Sequence, residues 1–189
     1  LKGYQERTLE ALDVYFRRCV EEGNPRAGFI AAFAALTGNA KPYNTIAGFP
    51  QDMPYVCLRL PTGGGKTLLA GFACGLANQR LLHTEHSLVL WLVPSRAIME
   101  QTLRALKNRQ DPLRRGLEDG WGRWPGCGKV SVMDLAEARS LTRATLDTET
   151  VIIVATAQAF RVEDTEIRKV YEESGALMHH FDGLTEEQR

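Results

Sequence analysis

The stretch YVCLRLPTGGGKTLLAGFACGLA, residues 55–77, sets three consecutive glycines, a lysine and a threonine between an apolar run and a helix-like run. A strand that feeds a glycine-rich turn into a helix is a geometry for holding phosphate. The turn's amide N–H groups and the helix amino terminus present donors and partial positive charge to an anion. Gly63, Gly64 and Gly65 reach positive φ readily and carry no side chain to obstruct the approach. In this pattern Lys66 reaches the β and γ phosphates and the Thr67 hydroxyl ligates Mg²⁺, so the stretch reads as a nucleoside triphosphate site. The strict pattern G-x-x-x-x-G-K-[ST] is not met, because Leu60 stands where its first glycine belongs.

Outward from this loop the chain alternates. The apolar runs Tyr55–Leu60, Leu88–Val93, Val130–Met133 and Val151–Ala155 read as strands. Helical patterns lie between them at Lys66 to about Leu82, Ala97–Leu106 and about Leu135–Leu146. Short apolar strands separated by helices predict crossover connections and a doubly wound parallel α/β sheet with helices on both faces. Upstream, Leu9, Leu12, Phe16 and Cys19 fall on one face of a helix over residues 1–20. FIAAFAALTG, residues 29–38, reads as a short buried helix closed by its glycine. The proline- and glycine-bearing stretch 39–54 reads as loop, and 107–129, with five glycines and two prolines, as a long surface insertion.

The 189 residues carry 23 basic and 23 acidic side chains, so no global field attracts nucleic acid. Residues 96–115 form a local exception, with six basic side chains against two acidic. The tail 161–189 leans acidic, with eight against four. The basic stretch is open to two readings, a solvated face or a strand-contacting patch. In the insertion, Arg114, Arg115, Trp121, Arg123 and Trp124 stay open between a small local core and a loop that stacks on bases. Cys19, Cys57, Cys74 and Cys127 lie far apart without zinc-ligand spacing, which reads as reduced, mostly core thiols. No apolar run is long enough to span a bilayer and no signal sequence appears, so a cytoplasmic protein without a membrane partner is expected.

Three further segments stand in order around the glycine loop: GYQERTLEAL at 3–12, LWLVPSRAIMEQT at 90–102 and VIIVATAQAF at 151–160. With RLPTGGGKT they resemble the superfamily 2 helicases and translocases, whose Thr-Gly-x-Gly-Lys-Thr loop commonly lacks the first glycine. The loop is especially similar to that of the restriction subunit of type III restriction enzymes and its DEAD/DEAH-like relatives. The resemblance implies a RecA-like P-loop motor domain that binds ATP and Mg²⁺ through Thr62, Gly63, Gly64, Gly65, Lys66 and Thr67, with Lys66 also serving catalysis and Thr67 holding the metal. It implies that Gln5 reads the adenine edge, although about 60 residues separate Gln5 from Lys66. It further implies that Pro94, Ser95, Arg96 and Gln101, then Thr156 and Gln158, contact a nucleic-acid backbone without reading sequence. The physical counterpart is a strand that ends at Pro94 just before a helix amino terminus, where Ser95 and Arg96 can meet a phosphate.

Two regions are expected: 1–54, helical with the glutamine segment, and 55–189, the first motor domain, ending before an Asp-Glu-x-His hydrolysis box. No such box occurs in the 189 residues. Asp134 is open between a metal-shell residue and a helix cap, and His179 and His180 between solvent exposure and function. The opening Leu1 and the polar ending suggest a piece of a longer chain, one that holds nucleotide poorly and hydrolyses none by itself. The leading functional expectation is the ATP-binding part of an enzyme that translocates on duplex DNA, with a nuclease domain or modification (methyltransferase) subunit outside this segment. The alternatives are an RNA or DNA unwinding helicase without nuclease, a small-molecule phosphotransferase, and a nucleotide-binding module that never hydrolyses.

Overall fold

A computed structural model describes residues 1–160 together with Gly183 and Thr185. The acidic tail, His179 and His180 lie outside the described residues. The chain forms two compact units, one of Leu1–Thr84 with Arg115–Cys127, the other of Glu85–Arg114 with 128–160 of the described chain.

The first unit is helical. Helix α1 (Gly3–Glu21) buries Leu9, Leu12, Phe16 and Cys19 as the spacing predicts, and also Tyr15. Asn24 then caps α2 (Pro25–Thr37) by accepting the Ala27 N–H at 2.8 Å, proline takes the first helical position, and Gly38 ends the helix at φ 70°. The two helices touch where a Cβ on Gly28 would sit 2.6 Å from the Cys19 Cα, so only glycine permits the crossing. Rings in sequence, Tyr15–Phe29 at 6.0 Å, Phe29–Tyr43 at 5.4 Å and Tyr43–Tyr55 at 5.0 Å, tie the 39–54 loop to this pair.

Tyr55–Leu60 is not a strand, contrary to expectation. It has no ladder partner among the described residues, and Val56 and Leu58 stay 41% and 37% exposed. An apolar run flanked by Pro54 and Pro61 specifies an extended backbone, whereas a strand also needs a neighbour's N–H and C=O groups, which no local pattern provides.

Helix α3 (Lys66–Leu76) buries Leu69, Phe72 and Leu76 against α1, then loosens into a π-helical segment, Ala77–Leu82, that ends at His83 with φ 50°.

The supposed surface insertion is largely packed. It contains α5 (Pro112–Asp119), inside which the unit boundary falls, and Leu113, Leu117, Arg114 and Cys127 are all buried. Trp121 stands edge-on to Phe72 at 5.1 Å and the Cys127 N–H donates to the Leu117 carbonyl at 2.8 Å. Two of the glycines that suggested a loose loop instead allow close approach: a Cβ on Gly126 would collide with the Glu118 carbonyl and one on Gly116 would press on the Phe72 ring, while Gly75 in α3 makes room for the Pro125 carbonyl. Of the four cysteines, Cys19 and Cys127 are buried, Cys74 is half-buried and Cys57 is exposed. Burial pushes the Cys74 thiol up to about 12, and it donates to the Ala70 carbonyl.

The second unit is an all-parallel sheet in the order β1-β3-β2, with β1 (Leu88–Val93), β2 (Val130–Asp134) and β3 (Thr150–Thr156). Leu88 pairs with Val151, Val93 with Thr156, and Asp134 with Val154. The central strand buries Val151, Ile152, Val154 and Ala155 at 1% exposure or less, while edge strand β1 leaves Leu88, Leu90 and Leu92 about half exposed. Helix α4 (Arg96–Lys107) follows β1, and α6 (Arg143–Thr148) precedes β3. The helix expected over 135–146 is instead a 3₁₀ turn, Glu137–Ser140, then extended Leu141 and Thr142, then α6. The Thr142 hydroxyl accepts the Thr145 N–H at 3.3 Å and so starts a new helix rather than continuing an old one. No helix among the described residues is long and apolar enough to cross a membrane.

Candidate nucleotide and strand-binding sites

In the first unit the glycine loop is a tight turn. The Gly64 N–H donates to the Pro61 carbonyl at 3.0 Å, with Gly63 at φ 73° in the third position, where such a turn demands glycine. Gly65 follows at φ 79° as the N-cap of α3 and has no capping side chain, so the first amides of the helix keep no partner within it. Lys66 folds back, its Nζ 2.9 Å from the same Pro61 carbonyl, and Thr62 and Thr67 are both exposed.

The cradle fits a polyphosphate. Uncapped amides point outward from a helix start, and a Cβ on Gly64 would meet the Pro61 carbonyl at 2.8 Å, so bare backbone is required there. Lys66 exchanges one neutral carbonyl for an anion when it turns outward. The Thr67 hydroxyl supplies the oxygen that suits Mg²⁺.

Helix α1 holds this loop from behind. The Gln5 Nε2 donates to the Gly64 carbonyl at 3.0 Å, and its Oε1 accepts the Lys2 N–H at 2.8 Å. The separation of about 60 residues is thereby closed, but both ends of the buried amide meet the chain itself rather than an open base pocket. Tyr4 donates its hydroxyl to the same carbonyl at 3.1 Å. No sequence signal distinguishes it, because the contact joins positions 60 apart.

In the second unit the strand ends of β2 and β3 and the start of α4 enclose a cleft of about 430 Å³. Arg96, Asp134, Thr156 and Gln158 line it together, with Met99 and Val154 among the apolar residues. Pro94, Ser95 and Gln101 are not among the lining residues. Ser95 caps α4, its Oγ accepting the Ile98 N–H at 3.4 Å, and Pro94 and Gln101 are exposed. Arg96 is 85% exposed in its side chain and pairs with Glu100 at 3.1 Å, an exposed pair that is worth at most about 1 kcal/mol and leaves the guanidinium free to turn.

The basic stretch is partly consumed by structure. Lys107 reaches both Glu137 oxygens at 2.7 Å, and Arg114 is buried, donating to the Leu106 and Val130 carbonyls at 2.9 and 2.7 Å. Asp134 is a cap: its Oδ1 accepts the Ala136 and Glu137 N–H groups at 2.8 Å each. Among the described residues no cluster of three or more His, Cys, Asp or Glu side chains is arranged to hold a metal. Hydrogen bonds from Lys107 and the Asp134 N–H hold the Glu137 carboxyl below its usual range. Lys129 and Ser131 do the same for Glu149.

The parallel sheet of the second unit and its helices are of the α/β class, as in a P-loop domain of RecA-like fold. The sequence profile of the DEAD/DEAH box helicase family matches residues 44–173, more than half of the chain, and the chain belongs to that family. An ATP-dependent, helicase-type function comes with the family. Comparison with curated proteins and with solved structures gives no match.

Proposed function

We propose that this chain is the ATP-binding part of a motor of the restriction-subunit type, one that couples ATP hydrolysis to movement along duplex DNA. The supporting observation is the pairing of two kinds of surface in one chain. One is a cradle at Gly63–Thr67, braced by Gln5 and Tyr4 on the Gly64 carbonyl. The other is a strand-end cleft that gathers Arg96, Thr156 and Gln158.

Bound ATP with Mg²⁺ supplies the phosphoanhydride whose cleavage powers helicases. Lys66 would give up the Pro61 carbonyl to meet the phosphates, the α3 amides with the Gly63–Gly65 loop and Thr62 would hold them, and the Thr67 hydroxyl would offer the metal an oxygen ligand. Gln5 acts by holding the loop in its turned form, its amide spanning the Lys2 N–H and the Gly64 carbonyl. Arg96, Thr156 and Gln158 hold a phosphate backbone with Pro94, Ser95 and Gln101 beside the same helix start, a hold blind to sequence. A nuclease domain or modification subunit is the partner class that the restriction-type reading carries with it.

Titration with a fluorescent ATP analogue and Mg²⁺ tests the cradle: Lys66→Ala should weaken binding by at least about tenfold, the loss of one charge-assisted contact. Unchanged binding in Lys66→Ala would overturn it. Duplex DNA, single-stranded DNA and RNA compared as ATPase activators of a chain that carries a hydrolysis box test the track. Stimulation by duplex DNA supports the restriction-type reading, and stimulation by single strands alone favours the plain unwinding helicase.

A further inference from the structure

The cleft of the second unit contains a charge that a phosphate-holding surface does not call for. Among its described lining residues the charged side chains are Arg96 and Asp134. Asp134 ends β2, half-buried, and its carboxylate is immobilised by a closed set of bonds. Oδ1 takes two backbone N–H groups at 2.8 Å, Glu137 Oε2 accepts the Asp134 N–H at 2.9 Å, and Lys107 clamps Glu137 from α4. A free surface aspartate would swing away from an incoming phosphate, but this one is held. Its Oδ2 takes no hydrogen bond among the described residues, and no metal-ligating cluster surrounds it.

Arg96 and Asp134 line one cleft of about 430 Å³, whose span is comparable to a Debye length of roughly 8–10 Å, so a phosphate within the cleft feels both charges. Building on the strand-holding reading above, we propose that Asp134 is a release residue. Its fixed negative charge opposes Arg96 and keeps the hold on each backbone phosphate weak enough to be broken as the motor steps. The Lys107–Glu137 pair is then a positioning element, since it keeps the Asp134 turn in place. A motor differs from a static binder in needing such a counterweight, and like charge at fixed distance supplies it without any moving part.

The test uses the chain as it stands, with a short fluorescent oligothymidylate as probe and anisotropy as readout at low salt. Asp134→Asn keeps an oxygen for the two N–H groups and removes the charge. Asp134→Ser does the same with a smaller cap, and covers the case in which asparagine perturbs the turn. Both should bind about 3–10-fold tighter and dissociate more slowly, the gain shrinking as salt rises. Unchanged affinity in both variants, with melting temperatures near wild type, overturns the proposal. So does weaker binding, and weaker binding confined to oligouridylate would assign Asp134 to a ribose hydroxyl instead. Arg96→Gln serves as the separate control. If it does not weaken the probe's binding, the strand-holding reading fails on its own account, whatever Asp134 does.

Discussion

Gln5 and Gly64 are joined by a 3.0 Å hydrogen bond from the side-chain amide to the backbone carbonyl, across 59 residues of sequence. The first helix thereby sets the orientation of a peptide unit in the middle of the glycine loop. Gln5→Ala should weaken nucleotide binding by about 3–10-fold, and Gln5→Glu by more, since a carboxylate would face the carbonyl as a second acceptor. If Gln5 acts by bracing the loop, ATP and GTP analogues lose affinity alike. A loss confined to ATP would place its action on the adenine edge.

Gly65 sits at φ 79°, and a Cβ there would fall on the Gln5 Nε2. Gly65→Ala should therefore cost about 1–2 kcal/mol in backbone strain and displace Gln5 as well. Chemical denaturation of Gly65→Ala, Gln5→Ala and the double variant would separate the two. The collision vanishes in the double variant and the strain remains, so the costs should fall short of additive.

The crossing of α1 and α2 rests on Gly28 facing Cys19. Gly28→Val should destabilise by about 1–3 kcal/mol through overpacking, a fall of roughly 2–4 °C in melting temperature for each kcal/mol at this chain length. An unchanged melting temperature would mean that the helices can part without loss.

Arg114 is a structural residue, although its charge invites a role on DNA. Arg114→Leu should cost about 2–4 kcal/mol by leaving the Leu106 and Val130 carbonyls without their donor. The salt dependence of DNA binding should stay as it is in any Arg114 variant that remains folded. Arg96→Gln should instead lower the slope by about one and leave the melting temperature nearly unchanged.

Glu137 and Glu149 both titrate below the ordinary carboxylate value of 4.5 in the folded chain, chiefly through Lys107 and Lys129. Groups depressed in this way add stability above that ordinary value and lose it as the pH falls through their folded values. Stability should therefore drop in acid below about pH 4.5, and Glu137→Gln with Glu149→Gln should flatten the acid limb of a denaturation series.

Much of this was legible in local pattern. The helix over residues 1–20 follows from the spacing of Leu9, Leu12, Phe16 and Cys19, and the three strands of the sheet from short apolar runs. The cap at Gly38 and the α3 start at Lys66 follow from glycine's freedom at positive φ. Elsewhere the pattern misled for a physical reason. Tyr55–Leu60 has a strand's composition and no partner backbone, and in 107–129 glycine marks close packing against Phe72, Pro125 and Glu118 rather than looseness. Arg114 and Lys107 read as free cations until their acceptors are seen, because burial and pairing are properties of neighbours distant in sequence.

The sequence by itself determined the loop and its chemistry: Gly63 to Thr67 specify a glycine turn at a helix start, since backbone freedom, one amine and one hydroxyl at fixed spacing are local properties. Tertiary structure alone decided what stands behind and around that chemistry. Packing of α1 on α3 brings Gln5 and Tyr4 to the Gly64 carbonyl, and parallel pairing of β2 with β3 brings Asp134 into the cleft that Arg96, Thr156 and Gln158 line. Hydrogen bonds and charges act through space over a few ångströms, so residues 60 positions apart meet only once the chain has folded.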